Sequence, residues 1–135
     1  MFSNCVSLKS ISFPNSKTNS LIDMEFMFYY CYNLESIDFK IFNTEKVINM
    51  KDFLFGFSSL KSIDISHFDT KNVVNMEGIF YNCTSLESLD LSNFNTENVE
   101  IMDGMFYNCE SLTSLDLSNF NTTKVTSMTA YLYGC

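Results

Sequence analysis

The chain has no run of apolar residues approaching the roughly 18 that a membrane span requires. Its first residues, MFSNCVSLKSISF, lack the basic start and the roughly 7 to 15 apolar residues of a secretory signal. Segments rich in basic residues are missing too. Eight lysines against sixteen acidic residues leave a net charge of −8, so the footprint of a phosphate-backbone binder is absent and nucleic acid is excluded as an expected partner. No C-x-x-C pair joins any of the five cysteines, which removes the usual zinc and redox sites. The one histidine, His67, has no nucleophile recurring near it and reads as a solvated turn residue.

What is present is repetition. The stretch Met105–Leu117, MFYNCESLTSLDL, repeats Ile79–Leu91, IFYNCTSLESLDL, 26 residues earlier, and Leu8, Leu34, Leu60, Leu86 and Leu112 carry the same frame through the chain. A fixed period of this length marks a repeat architecture. The units are Met1–Phe26, Met27–Asp52, Phe53–Gly78, Ile79–Gly104 and Met105–Ala130, with Tyr131–Cys135 opening a sixth. They form one array over residues 1–135, and its 46% apolar content suffices for a core. Because the frame is already running at Met1 and breaks off at Cys135, a piece of a longer protein is the expectation. The fourth unit concentrates acidity, holding Glu87, Asp90, Glu97, Glu100 and Asp103 without a basic residue.

Within a unit, alternation at positions such as Ile37/Phe39, Ile63/Ile65, Leu89/Leu91 and Leu115/Leu117 predicts a short strand. Phe42, Phe68, Phe94 and Phe120 close the turn after it, and Asn43, Asp69, Asn95 and Asn121 can cap a helix opening near Thr44, Thr70, Thr96 and Thr122. In the first unit Pro14, Asn15, Ser16 and Lys17 replace that turn. Val47, Met50, Phe53, Leu54 and Phe57, like Val99, Met102, Met105, Phe106 and Cys109, fit one face of a helix. Asn4, Gly56, Asn82, Asn108 and Gly134 suit the left-handed residue at its end, and Tyr30 alone departs from that pattern. The expected fold is therefore an α/β solenoid of 26-residue strand–turn–helix units. Parallel strands lie about 4.8 Å apart and packed helices about 8 to 10 Å, so the stack should curve with its parallel sheet on the inner face.

The unit motif MFYNC-x-SL-x-SLDLSNFNT-x-x-V-x-x-M resembles the BspA-like leucine-rich repeats, a surface-protein type also catalogued as a repeat of mycoplasma lipoproteins. The resemblance spans essentially the whole chain. It implies a leucine-rich-repeat fold and display on a cell surface, with adhesion to host or other cell-surface proteins. The missing leader in this segment leaves an intracellular scaffold as the other localisation.

Two sets of columns are candidate partner-binding surfaces. Asp38, Asp64, Asp90 and Asp116, beside Ser36, Ser62, Ser88 and Ser114, should point outward from the strand face. Carboxylates stacked about 5 Å apart should have raised pKa values unless donors, a basic partner or a divalent ion such as Ca²⁺ compensate. The spacing also matches a retaining glycosidase pair. Acid and nucleophile need different environments, however, and here one environment is copied down the column, so catalysis is not expected. On the outer face Tyr29, Phe55, Tyr81 and Tyr107 should stack, with Ile48 beside Phe55 giving an apolar patch for a partner or for self-association, to which the open ends of the array add. Cys5, Cys31, Cys83, Cys109 and Cys135 share a column with Phe57 and read as buried free thiols. No cofactor is implied.

Overall fold

Two columns of left-handed residues, four positions apart, set the architecture. The computed structural model describes residues 2–13 and 18–135, so the divergent turn of the first unit, Pro14 to Lys17, lies outside the described residues. Asn4, Tyr30, Gly56, Asn82, Asn108 and Gly134 have positive φ, as do Phe26, Asp52, Gly78, Gly104 and Ala130. Phe26, Tyr30, Asp52, Gly56, Asn82, Gly104, Asn108 and Gly134 are each the third residue of a bonded four-residue turn: Phe53 N–H donates to Met50 O at 3.2 Å across Asp52, and Phe57 N–H to Leu54 O at 3.3 Å across Gly56. A bonded turn with positive φ at its third residue has the type II pattern.

The strand–turn–helix solenoid is therefore incorrect. Among the described residues the regular elements are β1 (Ser10–Ile11), β2 (Ser36–Ile37) and one 3-10 turn, Phe39–Ile41. No α-helix forms where one was expected, because the backbone N–H groups are committed elsewhere. Met50, Asp52, Leu54 and Gly56 donate to Asn75, Glu77, Ile79 and Tyr81 in the next unit at 2.9, 2.8, 3.1 and 2.7 Å. Phe53, Phe55 and Phe57 close four-residue turns and Lys51 N–H donates to Asn49 Oδ1 at 3.1 Å, leaving none for the i−4 carbonyl of a helix. Left-handed conformation also costs a non-glycine residue roughly 1–2 kcal/mol in a regular run, and here it recurs within every turn of chain.

The same bonding repeats from Met24, Met76 and Met102, so each 26-residue coil lies on the next. β1 and β2 pair in parallel, Ser10 with Ser36 and Ile11 with Ile37. A second parallel ladder of single bridges runs Asp23, Asn49, Asn75, Ile101, Ser127. With coils hydrogen-bonded to each other on the turn side as well, the helix spacing that called for curvature is gone.

The interior matches the apolar pattern despite the change of element. Val47, Met50, Phe53, Leu54 and Phe57 are all buried, as are Leu34, Leu60 and Leu86. Between them lies a polar clamp. Thr44, Thr70 and Thr96 are buried, and each hydroxyl serves the backbone of the residue 25 positions on. Thr70 Oγ1 donates to Asn95 O at 2.9 Å and accepts from Asn95 N–H at 2.8 Å. Thr44 does the same with Asp69 at 3.1 and 2.7 Å, and Thr96 with Asn121 at 3.0 and 2.7 Å. The preceding Asn and Asp side chains were expected to cap helices. Asn43 Oδ1 instead accepts from Glu45 N–H at 3.0 Å and Asn95 Oδ1 from Glu97 N–H at 2.9 Å, closing local turns.

Candidate functional site

On the strand side the four aspartates form an exposed column with Ser36, Ser62, Ser88 and Ser114 beside them, also exposed. Their mutual repulsion does not prevail. Each carboxylate accepts from the N–H two residues on: Lys40 to Asp38 at 3.0 Å, Ser66 to Asp64 at 3.2 Å, Ser92 to Asp90 at 2.9 Å and Ser118 to Asp116 at 2.9 Å. The Ser66 hydroxyl adds a bond at 2.7 Å and Lys40 Nζ lies 3.7 Å from Asp64 Oδ2. Hydrogen-bond donors thus supply the compensation that the column's repulsion calls for. The Ser66 hydroxyl and N–H hold Asp64 below the ordinary carboxylate range, and the Ser92 and Ser118 N–H groups do so for Asp90 and Asp116. In solvent, two charges a few ångströms apart interact by only about 1 kcal/mol, less than donors fixed in each coil can supply.

His67 is exposed but not free. Its Nε2 sits 2.9 Å from Phe39 O, and since a carbonyl only accepts, this nitrogen carries the proton. Asn93 and Asn119 in the same column donate to carbonyls of the preceding coil, Asn93 Nδ2 to Ile65 O at 3.0 Å and to Phe68 O at 2.9 Å. The column ties coils together. The cysteines are unpaired: Cys31, Cys83 and Cys109 are buried, Cys5 is half-buried and Cys135 exposed. Burial pushes the Cys109 thiol up to about 12 and Cys83 well above its ordinary value. Their S–H groups point at carbonyls of the preceding coil, Cys109 Sγ 3.2 Å from Phe80 O. Among the described residues no group of three His, Cys, Asp or Glu is placed to hold a metal ion.

The outer face carries a ladder of half-buried rings. Tyr29–Phe55, Phe55–Tyr81 and Tyr81–Tyr107 have centroids 4.7, 4.5 and 4.3 Å apart, the last two pairs nearly coplanar in orientation. Ile48 does not follow from a helical heptad here. It precedes the bridge residue Asn49, as Ile22 and Val74 precede Asp23 and Asn75; Ile48 N–H donates to Ile22 O and Val74 N–H to Ile48 O, both at 2.9 Å, and Ile48, Ile22 and Val74 are 50%, 53% and 37% exposed. The outer-face patch is therefore two columns, one aromatic and stacked, one aliphatic and open.

Beside the ring ladder runs a groove of about 540 Å³ that the residue pattern did not reveal; Asp52, Glu77 and Asp103 stand in its walls with Phe55, Tyr81 and Tyr107. Two glycines let wall residues pack directly on the backbone. A Cβ on Gly78 would lie 2.1 Å from Asp52 Oδ1, and one on Gly104 would meet the Tyr81 ring at 3.1 Å. Partial burial, and then Glu77, push the Asp52 carboxyl up to about 6. Asp103 is held low by the Ser127 hydroxyl, which donates at 2.7 Å. Glu77 pairs with Lys51 at 2.8 Å. The available signal was the recurrence of Gly78 and Gly104 in the last place of their units, where a helix interior would disfavour glycine.

No curated protein and no solved structure matches this chain. The model of one family does, over residues 1–89 and again over residues 22–135, overlapping as matches to a repeating sequence do. The chain belongs to this family, DUF285, described as mycoplasma protein of unknown function.

Proposed function

We propose that this DUF285 member is a non-catalytic protein-binding module of a surface-displayed protein, its strand face contacting a protein ligand. One observation carries the reading: a single exposed motif, serine beside a locally hydrogen-bonded aspartate, recurs coil after coil at fixed spacing. Such a surface offers a partner many equivalent contacts whose geometry is set before binding, which lowers the cost of ordering them. Asp64, Asp90 and Asp116 are held ionised by their donors, so a basic or hydroxyl-rich protein surface is the complementary ligand. Asp64, Asp90 and Asp116 are all shifted in the same direction, whereas acid–base catalysis needs two carboxyls pushed apart. The sequence resemblance to BspA-like repeats supports adhesion and surface display as the setting.

The test replaces Ser62 and Ser88 together by arginine, which offsets the charges of Asp64 and Asp90 while leaving the aspartate turns intact. Binding to surface-protein extracts should be lost at unchanged melting temperature. Retained binding would remove the strand face from consideration. Self-association is the second reading, favoured by the open column of Ile22, Ile48 and Val74. A monomer in sedimentation at high concentration would exclude it.

A further inference from the structure

We infer that the groove beside the ring ladder is a docking site for a basic peptide, one lysine or arginine side chain of which enters between Asp52 and Asp103. The walls have the two properties such a side chain requires. Phe55, Tyr81 and Tyr107 supply apolar surface for an aliphatic stem, and the carboxylates of Asp52, Glu77 and Asp103 in the same walls supply partners for the charged head. The glycines matter because they let the walls settle against the backbone; a Cβ on Gly78 would displace the Asp52 carboxylate.

Charge selects a cation over other guests. The groove holds Asp52, Glu77 and Asp103, and Lys51 is engaged with Glu77 at 2.8 Å. The Ser127 hydroxyl and Thr129 N–H both donate to Asp103. Asp52 has no side-chain hydrogen bond among the described residues, yet it is partly withdrawn from water, an arrangement that an incoming ammonium or guanidinium relieves. The rings stack on one another face to face, which leaves edges rather than faces toward a guest and favours a flexible stem over a flat aromatic ligand. The groove is separate from the strand-face columns, so this inference stands or falls independently of the reading above.

The experiment titrates the chain with a blocked pentapeptide of alternating glycine and lysine, following amide shifts by NMR, with the glutamate counterpart as control. The expected result is saturable binding with the largest shifts at Gly78 and Gly104. Asp52→Asn should weaken it about tenfold, corresponding to about 1.4 kcal/mol, and Glu110→Gln on the surface elsewhere should change it less than about twofold. Asparagine tolerates the left-handed backbone of Asp52, and an unchanged amide spectrum away from the groove establishes that the variant is folded. Equal weakening by both substitutions would reduce the effect to general attraction toward an acidic chain and overturn the inference. So would absent binding, or shifts centred on Ser62 and Ser88, which would leave the strand-face reading standing alone.

Discussion

Replacing Thr70 by valine removes one clamp between two coils without changing side-chain volume. In the folded chain the Thr70 hydroxyl accepts from Asn95 N–H at 2.8 Å and donates to Asn95 O at 2.9 Å, in a side chain that is 1% exposed. Valine leaves both backbone groups facing a methyl. An unmet buried donor or acceptor costs about 1–3 kcal/mol, and the added methyl returns about 0.8 kcal/mol. The net loss should be about 2 kcal/mol, which for a chain of this size lowers the melting temperature by about 7 °C. Thr122 occupies the same column but is exposed, at the last full coil, so Thr122→Val should shift melting by under about 2 °C. Urea unfolding of the two variants and the parent supplies the comparison. Equal losses at the two sites, or a loss below about 0.5 kcal/mol at Thr70, would show that the clamp does not hold the coils together.

The pH dependence of stability should have two parts. The Asp52 carboxyl is raised to about 6 when folded, so the folded state binds the extra proton and stability falls as pH rises from about 4 to 6; Asp52→Asn should abolish this limb. Asp64, Asp90, Asp103 and Asp116 are held low, so the stability they contribute persists above about pH 4 and is lost as pH falls further. Gly78→Ala should destabilise by at least about 1–2 kcal/mol from its positive φ alone, whereas Asn108→Gly, at φ 54°, should not, as thermal melts would record. Native thiol titration should find Cys135 reacting at once and Cys31, Cys83 and Cys109 only on unfolding, in keeping with their burial.

The repeat period, the apolar residues and one of the two left-handed columns were legible because each is a statement about residue type. Val47, Met50, Phe53, Leu54 and Phe57 point inward whether the backbone between them is a helix or a chain of turns. Their spacing therefore could not choose between the two. The choice lay in the second left-handed column, where Phe26, Asp52 and Ala130 stand; bulky residues seldom adopt that conformation and gave no warning, and Gly78 and Gly104 were the sole local hint. Stacking decided it: alternate N–H groups gain partners in the next coil that an isolated segment does not have. The exposed aspartate column was legible, and of the alternatives its charge left open, hydrogen-bond donors are the one present: the N–H groups of Ser66, Ser92 and Ser118, which a turn two residues on supplies.

The central claim is that backbone bonds on the turn side run from coil to coil. Scalar couplings across hydrogen bonds, measured by NMR on labelled chain, identify donor and acceptor directly. Couplings from Asp52 N to Glu77 C′ and from Gly78 N to Asp103 C′ are the expected result, matching bonds of 2.8 and 2.9 Å. A coupling from Gly56 N to Asp52 C′, the bond of a helix within one unit, would contradict the account.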